Sequence, residues 1–219
     1  FKKSFKRCKK LESVTFKLLT DCQIHQNLFS VFASSLVGFR RVRSFDIDLY
    51  GAYLENITPL TELLKKFKRL KYLGIDLKHN QNVTGITNLE QVLYRHCYLE
   101  SLYLGFLYMD RILLCELQAV SAGIRANSFL RNIRLDFTKC KPENLSFLPL
   151  LEEIGKKDLL SFQISLYDIN WLSNETVSEL GKAIHSNKNL NRVELRLGGD
   201  DINDEGLALI SNHIGELEN

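Results

Sequence analysis

The chain of 219 residues is 45% hydrophobic and 25% charged, with a formal net charge of +3. This is the composition of a folded protein with an extensive core, not of a disordered one. No apolar run is long enough to cross a bilayer and none follows the basic N-terminus, so neither a membrane span nor a signal peptide is read; so small a net charge points to nucleic acid only where basic residues cluster. The five cysteines (Cys8, Cys22, Cys97, Cys115, Cys140) are odd in number and never form a CxxC pair. That argues against a disulfide framework or a zinc site and favours a reducing setting, intracellular and cytoplasmic.

Taken in chain order, one phrase recurs seven times, with apolar residues at its positions 1, 4, 6 and 8. It reads Leu11, Val14, Phe16 and Leu18; Val42, Phe45, Ile47 and Leu49; Leu70, Leu73, Ile75 and Leu77; then Leu99, Leu102, Leu104 and Phe106. It continues with Leu130, Ile133, Leu135 and Phe137; Leu159, Phe162, Ile164 and Leu166; and Leu190, Val193, Leu195 and Leu197. Successive first positions lie 31, 28, 29, 31, 29 and 31 residues apart, a period that belongs to solenoids. Alternation at positions 4, 6 and 8 predicts strands over 14–18, 45–49, 73–77, 102–106, 133–137, 162–166 and 193–197.

Segments of helical spacing lie between the strands: Leu60, Leu63, Leu64 and Phe67; Leu89, Val92, Leu93 and His96; Leu113, Leu117, Val120 and Ile124; Val177, Leu180 and Ile184; Leu207, Ile210 and Ile214. Thr58-Pro59 and the capping-box spacing Thr87-x-x-Glu90 are read as helix starts, and Asn203 as the start of the last helix. Four N-x-S/T sequons, at Asn56, Asn82, Asn144 and Asn174, precede helices. Capping is the preferred reading of them, with glycosylation the alternative.

A strand followed by a helix, repeated without reversal, builds a parallel sheet with the helices on one side. The segment Leu190-Asn191-Arg192-Val193-Glu194-Leu195-Arg196-Leu197 through Asp204-Glu205-Gly206 resembles the strand, turn and helix entry of the leucine-rich repeat superfamily. The likeness is to its long-repeat branch, which includes ribonuclease inhibitor, Ran GTPase-activating protein and the ligand-sensing domains of innate immune receptors. The resemblance implies a right-handed α/β solenoid of about seven repeats, a horseshoe with a parallel concave sheet and convex helices. One departure is the turn position that the family fills with Asn or Cys. It holds Asp21, Asn80, Cys140 and Asp200 in four repeats but Ala52, Met109 and Ile169 in the others, which predicts an irregular, imperfectly stacked turn ladder. Residues 1–219 are expected to be one such domain, a fragment of a longer protein open at both ends.

Positions 5 and 7 of each phrase should face away from the core. On that concave face Asp46, Asp48, Asp76, Tyr103, Arg134 and Asp136, flanked by Tyr50 and Tyr72, form the candidate partner-binding patch, because nothing structural is seen to require adjacent aspartates. Lys65, Lys66, Lys68 and Arg69 form a candidate basic edge, for which helix-dipole compensation is the competing account. No nucleophile, phosphate loop or metal spacing is read, so no enzyme activity, cofactor or metal is expected. The expected function is a non-enzymatic protein-interaction scaffold in a larger assembly, with another protein as partner and nucleic acid the less favoured ligand. The alternatives are a GTPase-activating protein similar to Ran GTPase-activating protein, or an extracellular receptor ectodomain.

Overall fold

The computed structural model describes residues 10–18, 25–39, 41–109, 112–140, 147–169, 172–198 and 204–215. Where apolar side chains alternate, the backbone is extended: β1 (Ser13–Lys17), β2 (Ser44–Asp48), β3 (Tyr72–Asp76), β4 (Ser101–Gly105), β5 (Asn132–Asp136), β6 (Ser161–Tyr167) and β7 (Arg192–Gly198). They form one sheet in sequence order, parallel throughout. Each strand starts one residue before the stretch expected from the apolar pattern. The reason is a shared carbonyl: that of Arg43 accepts both the Lys71 and the Tyr72 N–H, which draws position 3 of the phrase into the ladder.

Parallel neighbours need a crossover, and a helix supplies each one: α1 (Gln26–Ser35), α2 (Thr58–Leu64), α3 (Leu89–Arg95), α4 (Leu114–Ala126), α5 (Leu148–Gly155) and α6 (Asn174–Ser186), with α7 (Asp204–Gly215) after the last strand. Successive helices pack on one another in a second layer, and the core lies between the layers. Phrase positions 1, 4, 6 and 8 are at most 2% exposed from Val42 to Leu166. In β1 and β7 the same positions are only partly buried, and Val193 is 38% exposed.

Among the helical positions whose side chains are described, all are buried or half-buried except Leu207, which is 51% exposed; Ile210 carries the buried face of α7. Thr87 and Glu90 form no capping box, because Ile86–Asn88 is a separate 3-10 turn entered through the left-handed Gly85 (φ 86°). At α2 the sequon residue Asn56 does the capping, its Oδ1 accepting the Thr58 N–H at 2.6 Å. Asn174 opens α6 behind the Ser173 cap, and Asn82 is exposed. Asn144 and Asn203 lie outside the described residues.

The turn ladder is regular, contrary to the expectation from its variable side chains. Position 10 adopts the left-handed conformation in five consecutive repeats: Gly51 (φ 60°), His79 (59°), Tyr108 (58°), Lys139 (55°) and Asp168 (58°). Backbone bonds between repeats hold them there, with His79, Tyr108 and Lys139 N–H donating to the carbonyls of Leu107, Thr138 and Tyr167. At position 11 polar and apolar residues alternate, Ala52, Asn80, Met109, Cys140 and Ile169 all being buried. Asn80 Nδ2 donates to the Leu49 carbonyl and its Oδ1 accepts the Leu54 N–H, while Cys140 Sγ donates to the Phe106 carbonyl. One polar side chain in every second repeat therefore reaches back to satisfy the repeat before it. Asp21 and Asp200 lie outside the described residues.

Side chains where the helices end tie the opposite rim. His96 Nε2 donates to the Leu64 carbonyl, Asn127 Nδ2 to that of Leu93 and Asn187 Nδ2 to that of Ile154, and Lys157 donates to the carbonyls of Arg125 and Asn127.

Candidate functional site

The sheet face turned away from the helices gathers the candidate patch on rigid backbone. Asp46 is registered with Gly74, Tyr103 and Arg134 along one row; Asp48 is registered with Asp76, Gly105 and Asp136 along the next. Tyr72-Leu73-Gly74 and Tyr103-Leu104-Gly105 then repeat a single local arrangement. The tyrosine lies over its own glycine, and its hydroxyl donates to the aspartate paired with that glycine. Tyr72 reaches Asp46 at 3.4 Å and Tyr103 reaches Asp76 at 2.7 Å. A Cβ on Gly105 would lie 2.7 Å from the Tyr103 hydroxyl and 2.8 Å from Asp76 Oδ1, so glycine is what makes room for the bond. Burial, then the neighbouring carboxylate, pushes both phenols above the usual tyrosine range. The Arg134 guanidinium lies 4.9 Å over the Tyr103 ring and completes the stack.

Adjacent aspartates do have a structural use, which corrects the expectation that they have none. Asp48, Asp76 and Asp136 each accept the N–H two residues ahead, from Tyr50, Lys78 and Thr138 at 3.1, 3.2 and 3.1 Å. Asp76 is also only 7% exposed and pairs with Lys78 at 2.9 Å, so it belongs to the frame of the patch. Asp46, Asp48 and Asp136 stay half-buried. Among the described residues none of the three has a cation within 4.0 Å.

Tyr50 sits at the edge of this patch and begins a chain of side chains along the turns that the sequence reading missed. Its ring lies 4.7 Å from that of His79, which lies 4.2 Å from that of Tyr108. Lys139 Nζ then donates to the Tyr108 hydroxyl at 2.9 Å and pairs with Asp168 at 3.6 Å. The Tyr108 bond leads the causes that hold the Lys139 ammonium above the ordinary lysine range. Reading position 10 down the repeats would have found this row.

The basic edge divides. Lys65 is tied to Glu62 and Gln91, both at 2.8 Å, and Lys66 is exposed. Lys68 and Arg69 instead line a cleft of about 360 Å³ with Arg43, Lys71, Arg95 and Tyr98, floored by Leu70 and His96. The helix dipole does not account for Lys68 and Arg69, which follow α2 instead of lying in its last turn.

Among the described residues no group of three His, Cys, Asp or Glu is placed to hold a metal, and no helix is long and apolar enough to cross a membrane. The fold and these surfaces define a leucine-rich-repeat-type solenoid. No protein-family model matches the chain and no curated protein matches its sequence. Among solved structures the tropomodulin C-terminal domain of Caenorhabditis elegans is similar, at 8% identity over 97% of this chain and 87% of that one, with a TM-score of 0.36.

Proposed function

We propose that the chain is a non-enzymatic scaffold that holds another protein on its concave face as a subunit of a larger assembly. The 28–31-residue period suits the long-repeat, ribonuclease-inhibitor-like branch. The thiols of Cys97, Cys115 and Cys140 are free, which suits a reducing, intracellular site of action. One observation carries the reading: Asp46, Asp48 and Asp136 stand on rigid strands with no cation among the described residues within 4.0 Å, beside the Tyr50 ring and the Arg134–Tyr103 stack. A partner with a basic, partly aromatic surface would supply the missing charge and gain the aromatic anchors.

The test removes charge without removing the turn bonds. In the triple variant Asp46→Asn, Asp48→Asn and Asp136→Asn, the amide oxygens can still accept the Tyr72 O–H, the Tyr50 N–H and the Thr138 N–H in turn. The wild-type chain, crosslinked in cells and purified, is expected to retain a stoichiometric protein partner that the folded triple variant loses. Retention of the same partner at equal affinity by both would refute the proposal.

A further inference from the structure

The cleft at the helix-end rim carries an electrostatic imbalance of the opposite sign to that of the concave face. Arg43 precedes β2, Lys68 and Arg69 follow α2, Lys71 precedes β3, and Arg95 ends α3. These five cations come from three neighbouring repeats, and their carboxylate complement is one residue, Glu100, bound to Lys71. Among the described residues Arg43, Lys68, Arg69 and Arg95 have no acidic partner within 4.0 Å. Farther along the same rim Arg131 pairs with Asp158 at 3.5 Å, and Lys157 is held by the carbonyls of Arg125 and Asn127. The five cations converge on one cleft of about 360 Å³, a size that suits a small dense anion better than the long backbone of a nucleic acid.

Two further features narrow the ligand. Three of the five cations are arginines, whose planar forks bind phosphate oxygens in pairs. Tyr98, one wall of the cleft, is 68% exposed, and its ring lies 5.2 Å from that of Phe129, which is 49% exposed. This apolar step continues from the charged basin. A free phosphate or an inositol polyphosphate has nothing to place on it, whereas a polypeptide does.

We propose that the cleft bounded by Arg43, Lys68, Arg69, Lys71 and Arg95 binds a phosphorylated serine or threonine of a partner segment, with a neighbouring apolar side chain of that segment resting on Tyr98 and Phe129. Phosphorylation supplies close to two negative charges and three acceptor oxygens in one compact group, which is what four unpaired cations around one basin require. The site is separate from the concave patch, so its occupancy would be controlled by a kinase acting on the partner.

The test uses fluorescence anisotropy with two arrayed libraries of labelled peptides, one centred on phosphoserine or phosphothreonine with degenerate flanks, the other identical but unphosphorylated. Phosphopeptides with an apolar residue near the phosphate are expected to bind about tenfold or more tightly than their unphosphorylated forms. Arg69→Ala and Arg95→Ala should each abolish most of that preference, and Lys66→Ala, outside the cleft, should not. Thermal melts establish that the variants are folded; Arg69→Lys serves as a second probe and should weaken binding while keeping the charge. Equal binding of the two libraries, equal loss in Lys66→Ala, or stronger binding of inositol hexakisphosphate or a short oligouridylate would each overturn the proposal.

Discussion

The two rims of the sheet are built from the same repeat and solve charge differently. Along the turn rim every prominent side chain from Tyr50 to Asp168 has a neighbour, through rings and then through Lys139. Along the helix-end rim the backbone is equally well tied, by His96, Asn127, Lys157 and Asn187. Yet Arg43, Lys68, Arg69 and Arg95 have no carboxylate partner among the described residues. Arg95, in the last turn of α3, is favoured by the helix dipole, whereas Arg43, Lys68 and Arg69 have no such account and call for an outside ligand.

The largest expected effect tests the layer that both rims share. Leu104→Ala, at a side chain 1% exposed in the central strand, should cost about 2–5 kcal/mol in a urea titration; a loss under about 1 kcal/mol would mean that the repeats around it relax independently. Next, Gly123→Ala sets a new Cβ 2.5 Å from Leu93 Cδ1 and should cost about 1–3 kcal/mol by overpacking α3 against α4. On the turn rim, His79→Ala keeps the left-handed backbone but removes the ring between Tyr50 and Tyr108, so a loss of about 1 kcal/mol is expected. On the opposite rim, Arg69→Gln should raise stability by a few tenths of a kcal/mol at low salt, with the gain vanishing at high salt. A stabilising His79→Ala or a destabilising Arg69→Gln would erase the distinction between the rims.

The smallest effect is one of pH. Burial holds the His96 imidazole below the ordinary histidine range, so the unfolded chain takes up its proton at a higher pH than the folded one. Stability should therefore be full above that ordinary value near 6.5 and fall as acid titrates the ring toward its lowered folded value. The repeats of Asn127 and Asn187 place asparagine at the corresponding position, each bonded to the preceding helix. His96→Asn should thus keep the bond to Leu64 and flatten the acid limb, as read from melting temperatures across that range; an unchanged acid limb would assign it to other groups.

The fold was legible because its determinants recur. An apolar residue at positions 1, 4, 6 and 8 marks every strand, and the register follows from the phrase. The face of the patch was legible for the same reason, since Asp46, Asp48, Asp76 and Asp136 stand at fixed phrase positions. What escaped was set by backbone or by partners distant in sequence. His79, Tyr108, Lys139 and Asp168 share a conformation but no side-chain chemistry, so their row shows only when position 10 is read down the repeats. The clustering of Lys65 to Arg69 in sequence concealed that Lys65 is paired, and that Arg43 and Arg95, from the neighbouring repeats, complete the cleft. Thr87-x-x-Glu90 has the right spacing for a cap, but the 3-10 turn after Gly85 begins the helical path too early for it.

The alternation at position 11 has a mechanical consequence. Asn80 binds the repeat of β3 to that of β2, and Cys140 binds the repeat of β5 to that of β4. The seams between β1 and β2, between β3 and β4 and between β5 and β6 meet Ala52, Met109 and Ile169 there, which offer no such bond. Pulled apart by its ends in an optical trap, the solenoid should yield at those three seams first and come undone two repeats at a time. Each step would release close to sixty residues, roughly 200 Å of extended chain, where a solenoid with identical seams would lengthen by half as much per event.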